Sequence, residues 1–171
     1  MGTRCHIFIK LKKEDKDKAH KIDLNNLPLA HHISPELIQE VYIKKDTNYM
    51  GIYNSLEGYP DGVGKVLYEK FNTYEDALNL ILGGNTINIT GDYWDPYLSK
   101  SMGWGFDEPS QIFEITKNPA GAIEYIYLFD GQWWFSNTGS SCFDLVKNGK
   151  VVLTAGDTSW ISLGWYLKLE K

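Results

Sequence analysis

Apolar and polar residues alternate along positions 3–11, with Cys5, Ile7, Ile9 and Leu11 on one side and Arg4, His6, Phe8 and Lys10 on the other. A two-residue period predicts a β-strand that buries one face. Positions 41–45 and 49–54 carry similar residues, and Asp46, Thr47 and Asn48 between them have turn composition, so the two segments are expected to pair. Alternation returns at 111–116, 123–129 and 132–136. Asp130-Gly131 joins the last two, and an Asp-Gly pair between alternating runs is a strong hairpin signal. A further hairpin is expected from 143–147 and 150–153 about Asn148-Gly149, and 86–90 reads as a short strand.

The period lengthens to that of a helix in two places. Val63, Val66, Leu67 and Phe71 share one face of a first helix. The second is better marked: Thr73 as N-cap, Asp76 three residues on, a stripe of Ala77, Leu78, Ile81 and Leu82, and Gly83-Gly84 as the stop. Ser34-Pro35-Glu36 fits the start of a short helix reaching Glu40. The mixed charges of 12–21 read as a solvated loop, 91–110 as a long aromatic loop, and 160–169 fits either a strand or a helix. The elements predict a single α+β domain over residues 1–171. Its core is an antiparallel sheet of about six to seven strands with two helices packed on one face.

Composition changes this picture in two respects. Net charge is −5 with a pI near 5.3, which argues against a nonspecific nucleic-acid binder. Six Trp, eleven Tyr and seven Phe stand out: they read first as strand residues of a β-rich core, and they also suit a flat-ligand or interface surface. Trp133 and Trp134 are adjacent in a strand and so point to opposite faces, one toward the core and one toward the surface. Cys5 and Cys142 have no metal-ligand spacing and are expected as free thiols. No apolar run is long enough for a membrane span and no leader pattern opens the chain, so a cytoplasmic location is expected.

Candidate chemistry concentrates at 53–65, where Gly58, Pro60, Gly62 and Gly64 separate a β-type from a helix-type stretch. Such a segment can present backbone N–H groups at a helix start, where an anion is favoured, with Lys65 beside it. It is not a phosphate loop: five residues rather than four separate Gly58 from Gly64, and Val66 replaces the metal-binding hydroxyl. Glu57 and Asp61, four apart, can act as paired carboxylates or cap the turn's own N–H groups. His31 and His32 lack chelating spacing, and Ser55, Ser140 and Ser141 have no recognisable base partner.

Met1-Gly2-Thr3-Arg4, then Tyr53, then Gly58-Tyr59-Pro60-Asp61-Gly62-Val63-Gly64 resemble a family of small uncharacterised proteins of phages and prophages. That pattern opens with a Thr-Arg strand and carries Tyr-Cys-His-Trp-Asp-Gly-Tyr-Pro before a helix. Asn54, Ser55, Leu56 and Glu57 stand where Cys, His, Trp and Asp are usual, so an activity resting on that His does not carry over. The resemblance does not extend past Gly84. It implies a phage-type accessory protein, of the kind that counters a host defence, in the host cytoplasm. Together with the aromatic surface, the expected function is sequestration of a small nucleotide-like anionic ligand without turnover. Stacking contributes about 1–3 kcal/mol per base in single-strand binders. The expected contacts are Arg4, Tyr53, Glu57, Tyr59, Asp61, Gly62, Gly64 and Lys65, with Trp94 and Trp104 as lids. The alternatives are a protein-binding inhibitor of a host factor, or a small hydrolase using Glu57 or Asp61 with His6. No cofactor or metal is expected, and a homo-oligomer would suit a sequestering protein.

Overall fold

The computed structural model describes residues 3–23, 38–86, 88–90, 109–112, 124–137, 146–147, 150–151 and 160–169. In chain order these form β1 (Cys5–Lys10), a 3-10 turn (Lys13–Asp15), β2 (Lys18–Asp23), β3 (Ile38–Ile43) and β4 (Tyr49–Asn54). A π-turn (Pro60–Gly64) then leads into α1 (Lys65–Lys70) and α2 (Tyr74–Leu82). After them come β5 (Ser110–Ile112), β6 (Tyr125–Phe129), β7 (Trp133–Asn137), β8 (Val146–Lys147), β9 (Lys150–Val151), β10 (Ile161–Ser162) and α3 (Leu163–Leu169).

The fold is α+β. Among the described residues the main sheet has six strands in the order β10-β7-β6-β1-β4-β5, beside the two-stranded pairs β2-β3 and β8-β9. The sheet is not wholly antiparallel: β1 runs parallel to β6, in register from Cys5↔Tyr125 to Ile9↔Phe129. Parallel neighbours require a long crossover rather than a tight turn, and turn chemistry gives no sign of them. The pairing expected between 41–45 and 49–54 does not form. A turn is present, with Thr47 N–H donating to the Lys44 carbonyl at 3.1 Å, but it passes the chain from one sheet to another. β3 pairs with β2, and β4 pairs with β1 and β5. Residues 12–21, read as a solvated loop, hold the 3-10 turn and the start of β2. The outward positions Lys18, Ala19 and Lys21 are exposed and Ile22 alone is buried, so no alternation marks the strand.

The sheet's first face is the main core. Cys5, Ile7 and Ile9 of β1, Met50 and Ile52 of β4, Tyr127 and Phe129 of β6, and Trp133 and Phe135 of β7 meet all three helices there. Leu67 and Phe71 come from α1 and its end, Ala77 to Leu82 from α2, and Leu163 from α3, one helix more than the two expected. α2 forms as its signals require: the Thr73 hydroxyl accepts from Asp76 N–H at 3.1 Å, and Gly84 at φ 90° ends the helix. Segment 160–169 is strand and then helix, with Ser162 Oγ accepting from Trp165 N–H at 3.3 Å at the junction. Trp133 and Trp134 take opposite faces as expected. The Asp130-Gly131 turn joins β6 to β7 with Gly131 at φ 76°. The helix expected after Ser34, most of the 91–110 loop, and Asn148-Gly149 lie outside the described residues. Among the described residues of 86–90, Thr86 forms a single parallel bridge with Asn54.

The second face is smaller and also covered. Phe8, Tyr49, Ile126, Leu128 and Trp160 are buried on it, with Tyr53 and Trp134 packed alongside. Gly51 is required here, because a Cβ would lie 2.2 Å from Phe8 Cδ1: the Phe8 ring covers the bare backbone of β4.

Candidate functional site

β4 ends in Asn54, which is fully buried and holds the next segment from inside. Its Nδ2 donates to the Leu56 carbonyl at 2.7 Å, and its Oδ1 accepts from Thr86 Oγ1 at 2.8 Å and Ile89 N–H at 3.3 Å. The loop then turns through Glu57, a non-glycine residue at φ 56°. Such a left-handed backbone is sparsely populated and persists where the surroundings over-determine it. The surroundings do so at Gly58. Its N–H donates to the Thr3 carbonyl at 2.8 Å and its carbonyl accepts the Tyr127 hydroxyl at 2.7 Å, which pins the loop across the end of β1. An added Cβ at Gly58 would meet Cys5 Cβ and the Thr3 carbonyl oxygen at 2.9 Å and the Arg4 carbonyl carbon at 3.1 Å. Backbone atoms cannot swing aside. Gly58→Ala is therefore expected to lower stability by about 1–3 kcal/mol, the usual range for overpacking. Chemical denaturation would check this, and a change under about 0.5 kcal/mol, the scatter of a surface substitution, would mean the loop does not lie on β1.

The loop brings some of the expected residues together and leaves others apart. Arg4 lies against the Tyr53 hydroxyl, and the two sit at the same end of neighbouring strands. Burial pushes the Tyr53 phenol up, while the Arg4 guanidinium acts in the opposite sense. The Glu57 carboxylate accepts from Thr90 Oγ1, from Asn88 Nδ2 at 3.0 Å and from the Tyr59 hydroxyl at 3.2 Å. These donors, Thr90 first, hold it below the ordinary carboxylate range. Glu57 is thus an ionised acceptor tied to the Asn88 and Thr90 side chains, and the contacts described for it include neither Asp61 nor His6. Lys65 is exposed, as is Asp61. Trp94 and Trp104 lie outside the described residues, as do His31, His32 and Cys142.

Three N–H groups of the glycine-rich turn are taken by the chain's own carbonyls. Gly62 N–H donates to the Tyr59 carbonyl at 2.9 Å, Val63 N–H to the Glu57 carbonyl at 2.9 Å, and Gly64 N–H to the Tyr59 carbonyl at 3.4 Å. Donors already engaged by the chain's own carbonyls are not free for an anion. Gly62 and Gly64 serve packing instead. A Cβ at Gly62 would lie 2.5 Å from the Glu57 carbonyl oxygen, and one at Gly64 3.0 Å from Leu163 Cδ1.

His6 stands opposite Tyr53 across the β1–β4 pair, on the second face. Its ring meets Phe8 edge-on at 5.5 Å and Tyr53 at 5.9 Å. Desolvation lowers its pKa to about 4, so the imidazole is neutral at pH 7. Cys5 is buried on the opposite face, and burial pushes its thiol up despite the hydrogen bond from Asn54. Such a thiol is inert rather than nucleophilic.

A groove of about 550 Å³ lies at the far end of β1, lined by Lys12, Asp15, His20, Tyr74, Leu78 and others from the 3-10 turn, β2 and α2. Four of its polar residues contact one another. The Tyr74 hydroxyl accepts from Lys12 N–H at 2.9 Å and donates to Asp15 Oδ2 at 2.7 Å, the His20 ring meets the Asp15 carbonyl at 2.7 Å, and Lys12 Nζ sits 4.4 Å from the Tyr74 ring centre. None of the expected site residues lines it. Among the described residues, no three His, Cys, Asp or Glu side chains are grouped to hold a metal ion, and no helix is long and apolar enough to cross a membrane. Compared with protein-family models, with curated proteins and with solved structures, the chain gives no match.

Proposed function

We propose that this chain is a binding protein that holds a small nucleotide-like anionic ligand without turnover, as a phage-type accessory protein would to withdraw a host signal. The observation that carries this reading is the pairing of Arg4 with Tyr53 at the end of an aromatic row, Tyr53-His6-Phe8. A guanidinium supplies charge and a forked set of donors for a phosphate, and the partly exposed Tyr53 ring beside it supplies stacking area. The glycine-rich turn supports the arrangement by fixing the end of β1, and Glu57 holds the turn rather than the ligand. The hydrolase alternative loses ground, because Glu57 is tied to neutral donors and held ionised, the wrong state for a general acid.

The test is native mass spectrometry of gently purified protein, followed by denaturation and identification of what is released. A near-stoichiometric nucleotide-like mass is expected, and Arg4→Gln is expected to reduce its retention by roughly tenfold or more, as loss of a charge-assisted contact does. A clean protein mass that does not shift with a panel of nucleotides would remove the proposal. A protein partner would then be the stronger reading, and β3 supplies an observation in its favour: Ile38 and Tyr42 are 58% and 50% exposed.

A further inference from the structure

The β2–β3 pair has an inner and an outer face. The inner face is packed: Ile22, Val41 and Ile43 are buried in the main core, and Gln39 beside them donates to the Leu82 carbonyl of α2 at 2.6 Å. Residues directly opposite in an antiparallel pair share a face, so the register Asp23↔Ile38, Lys21↔Glu40 and Ala19↔Tyr42 sets these six side chains on the outer one. At its centre Lys21 Nζ lies 3.7 Å from Glu40 Oε2, with both side chains exposed. Ile38 and Tyr42 flank that pair and are exposed as well. The face is also held firmly. The Tyr42 hydroxyl donates to the Asp17 carboxylate, and the Tyr42 carbonyl accepts from Gln111 Nε2 at 2.6 Å. Gln111 Oε1 accepts in turn from Lys44 N–H at 2.9 Å, which fastens the end of β3 to β5 of the main sheet. An aromatic side chain fixed in this way gives up little freedom on docking.

Single exposed hydrophobic residues are ordinary, but the pattern of this face matches itself. Sheets packed face to face lie about 10 Å apart with their strands nearly aligned. A twofold axis parallel to the strands, between two such faces, carries β2 of one copy over β3 of the other at the same height. Lys21 then faces Glu40 of the second copy, and Glu40 faces its Lys21. Tyr42 falls over Ala19 and Ile38 over Asp23, so each bulky side chain meets the smaller member of a pair. An axis across the strands instead sets Glu40 on Glu40 and Lys21 on Lys21, which repel. We propose that the outer face of β2 and β3 is the contact between two copies of this chain, related by a twofold axis along the strands. The alternating charges at the centre set orientation and register, and the flanking Ile38 and Tyr42 supply apolar area. Two strands of six residues make a patch roughly 20 Å long and 10 Å wide, at the small end for specific interfaces, so the dimer is weak and concentration-dependent. This inference stands apart from the ligand reading, whose Arg4 and Tyr53 lie at the β1–β4 pair.

The test is sedimentation equilibrium of the full chain. The parent protein is expected to pass from monomer to dimer as its concentration rises from about 1 μM to about 500 μM, the range of a small interface. Lys21→Glu and Glu40→Lys each turn two attractive contacts into two repulsive ones, because the symmetry counts every change twice. Each is expected to weaken the dimer roughly tenfold or more, as is Ile38→Lys. Mixed in equal amounts, Lys21→Glu and Glu40→Lys chains are expected to pair with each other at least as tightly as the parent does. One copy then presents two carboxylates and the other two ammonium groups, and every contact is attractive again. That rescue also shows that both variants are folded. A parent protein that stays monomeric across the range overturns the proposal and leaves the face to a partner of another sequence. A dimer that all three variants leave within about twofold of the parent lies on another surface, and overturns it too. Loss of the dimer in both charge variants without recovery in the mixture overturns the twofold arrangement.

Discussion

Replacing Trp133 by Ala is expected to lower the unfolding free energy by about 3–5 kcal/mol, the range for deleting a large aromatic side chain from a core. The ring is 1% exposed, meets Phe129 edge-on at 5.2 Å, and donates its indole N–H to the Phe71 carbonyl at 2.8 Å. That bond ties β7 to the end of α1, so truncation opens a cavity and strands a buried carbonyl at once. Total stabilities of domains run to about 5–15 kcal/mol, so one substitution would consume a large share. Trp133→Phe separates the two contributions. It refills most of the volume but leaves the Phe71 carbonyl unpaired, and about 1–3 kcal/mol is expected. Urea unfolding with an unchanged slope would check both. If Trp133→Ala loses less than about 1 kcal/mol, well below the core-aromatic range, then this face is not the principal core.

Acid is expected to weaken the fold through His6. Folded, this histidine takes its proton only near pH 4, against an ordinary value of 6.5 for an exposed imidazole. Between those values the unfolded chain holds the proton and the folded chain does not, so stability rises with pH across the window. Its contribution is complete above about pH 6.5 and is lost as the pH falls toward about 4. At about 1.4 kcal/mol per pK unit, and discounted for the part of the ring that water reaches, the loss is about 2–3 kcal/mol. Glu57 acts in the same direction, but only as the pH falls below the ordinary carboxylate range, and it is exposed enough to be screened. Urea midpoints measured from pH 7 to pH 4.5 should therefore fall for the parent protein and fall less for His6→Phe. Parallel curves for the two would mean that His6 is not buried in the neutral form.

Much of the fold is legible because local chemistry coincides with global structure in several places. The two-residue period of β1, the alternation that separates Trp133 from Trp134, the Asp130-Gly131 turn and the Thr73 cap of α2 are short-range signals, and each is realised. Pairing between distant segments is not legible in this way. β3 carries β-type residues next to a turn and still pairs backwards with β2, because Ile22, Val41 and Ile43 find α2 and the core there. Residues 160–169 are ambiguous by pattern because two elements share them, with Ser162 at the join.

The candidate site shows the same division. Glycines at 58, 62 and 64 mark a tight turn, and the turn is there, but only the hydrogen bonds reveal that the N–H groups of Gly58, Gly62, Val63 and Gly64 are already taken.

The parallel alignment of β1 with β6 also governs how the protein is made. The strand that begins at Cys5 leaves the ribosome well before β6, yet it lies at the centre of the sheet and its register runs to Tyr125 and Phe129. At about 5–20 residues per second, that partner follows on the order of ten seconds later. Through that interval one hydrogen-bonding edge of β1 remains unmatched, which is the condition under which nascent chains associate wrongly or recruit chaperones. Yield of folded protein should therefore depend on the speed and temperature of synthesis more steeply than stability alone would imply.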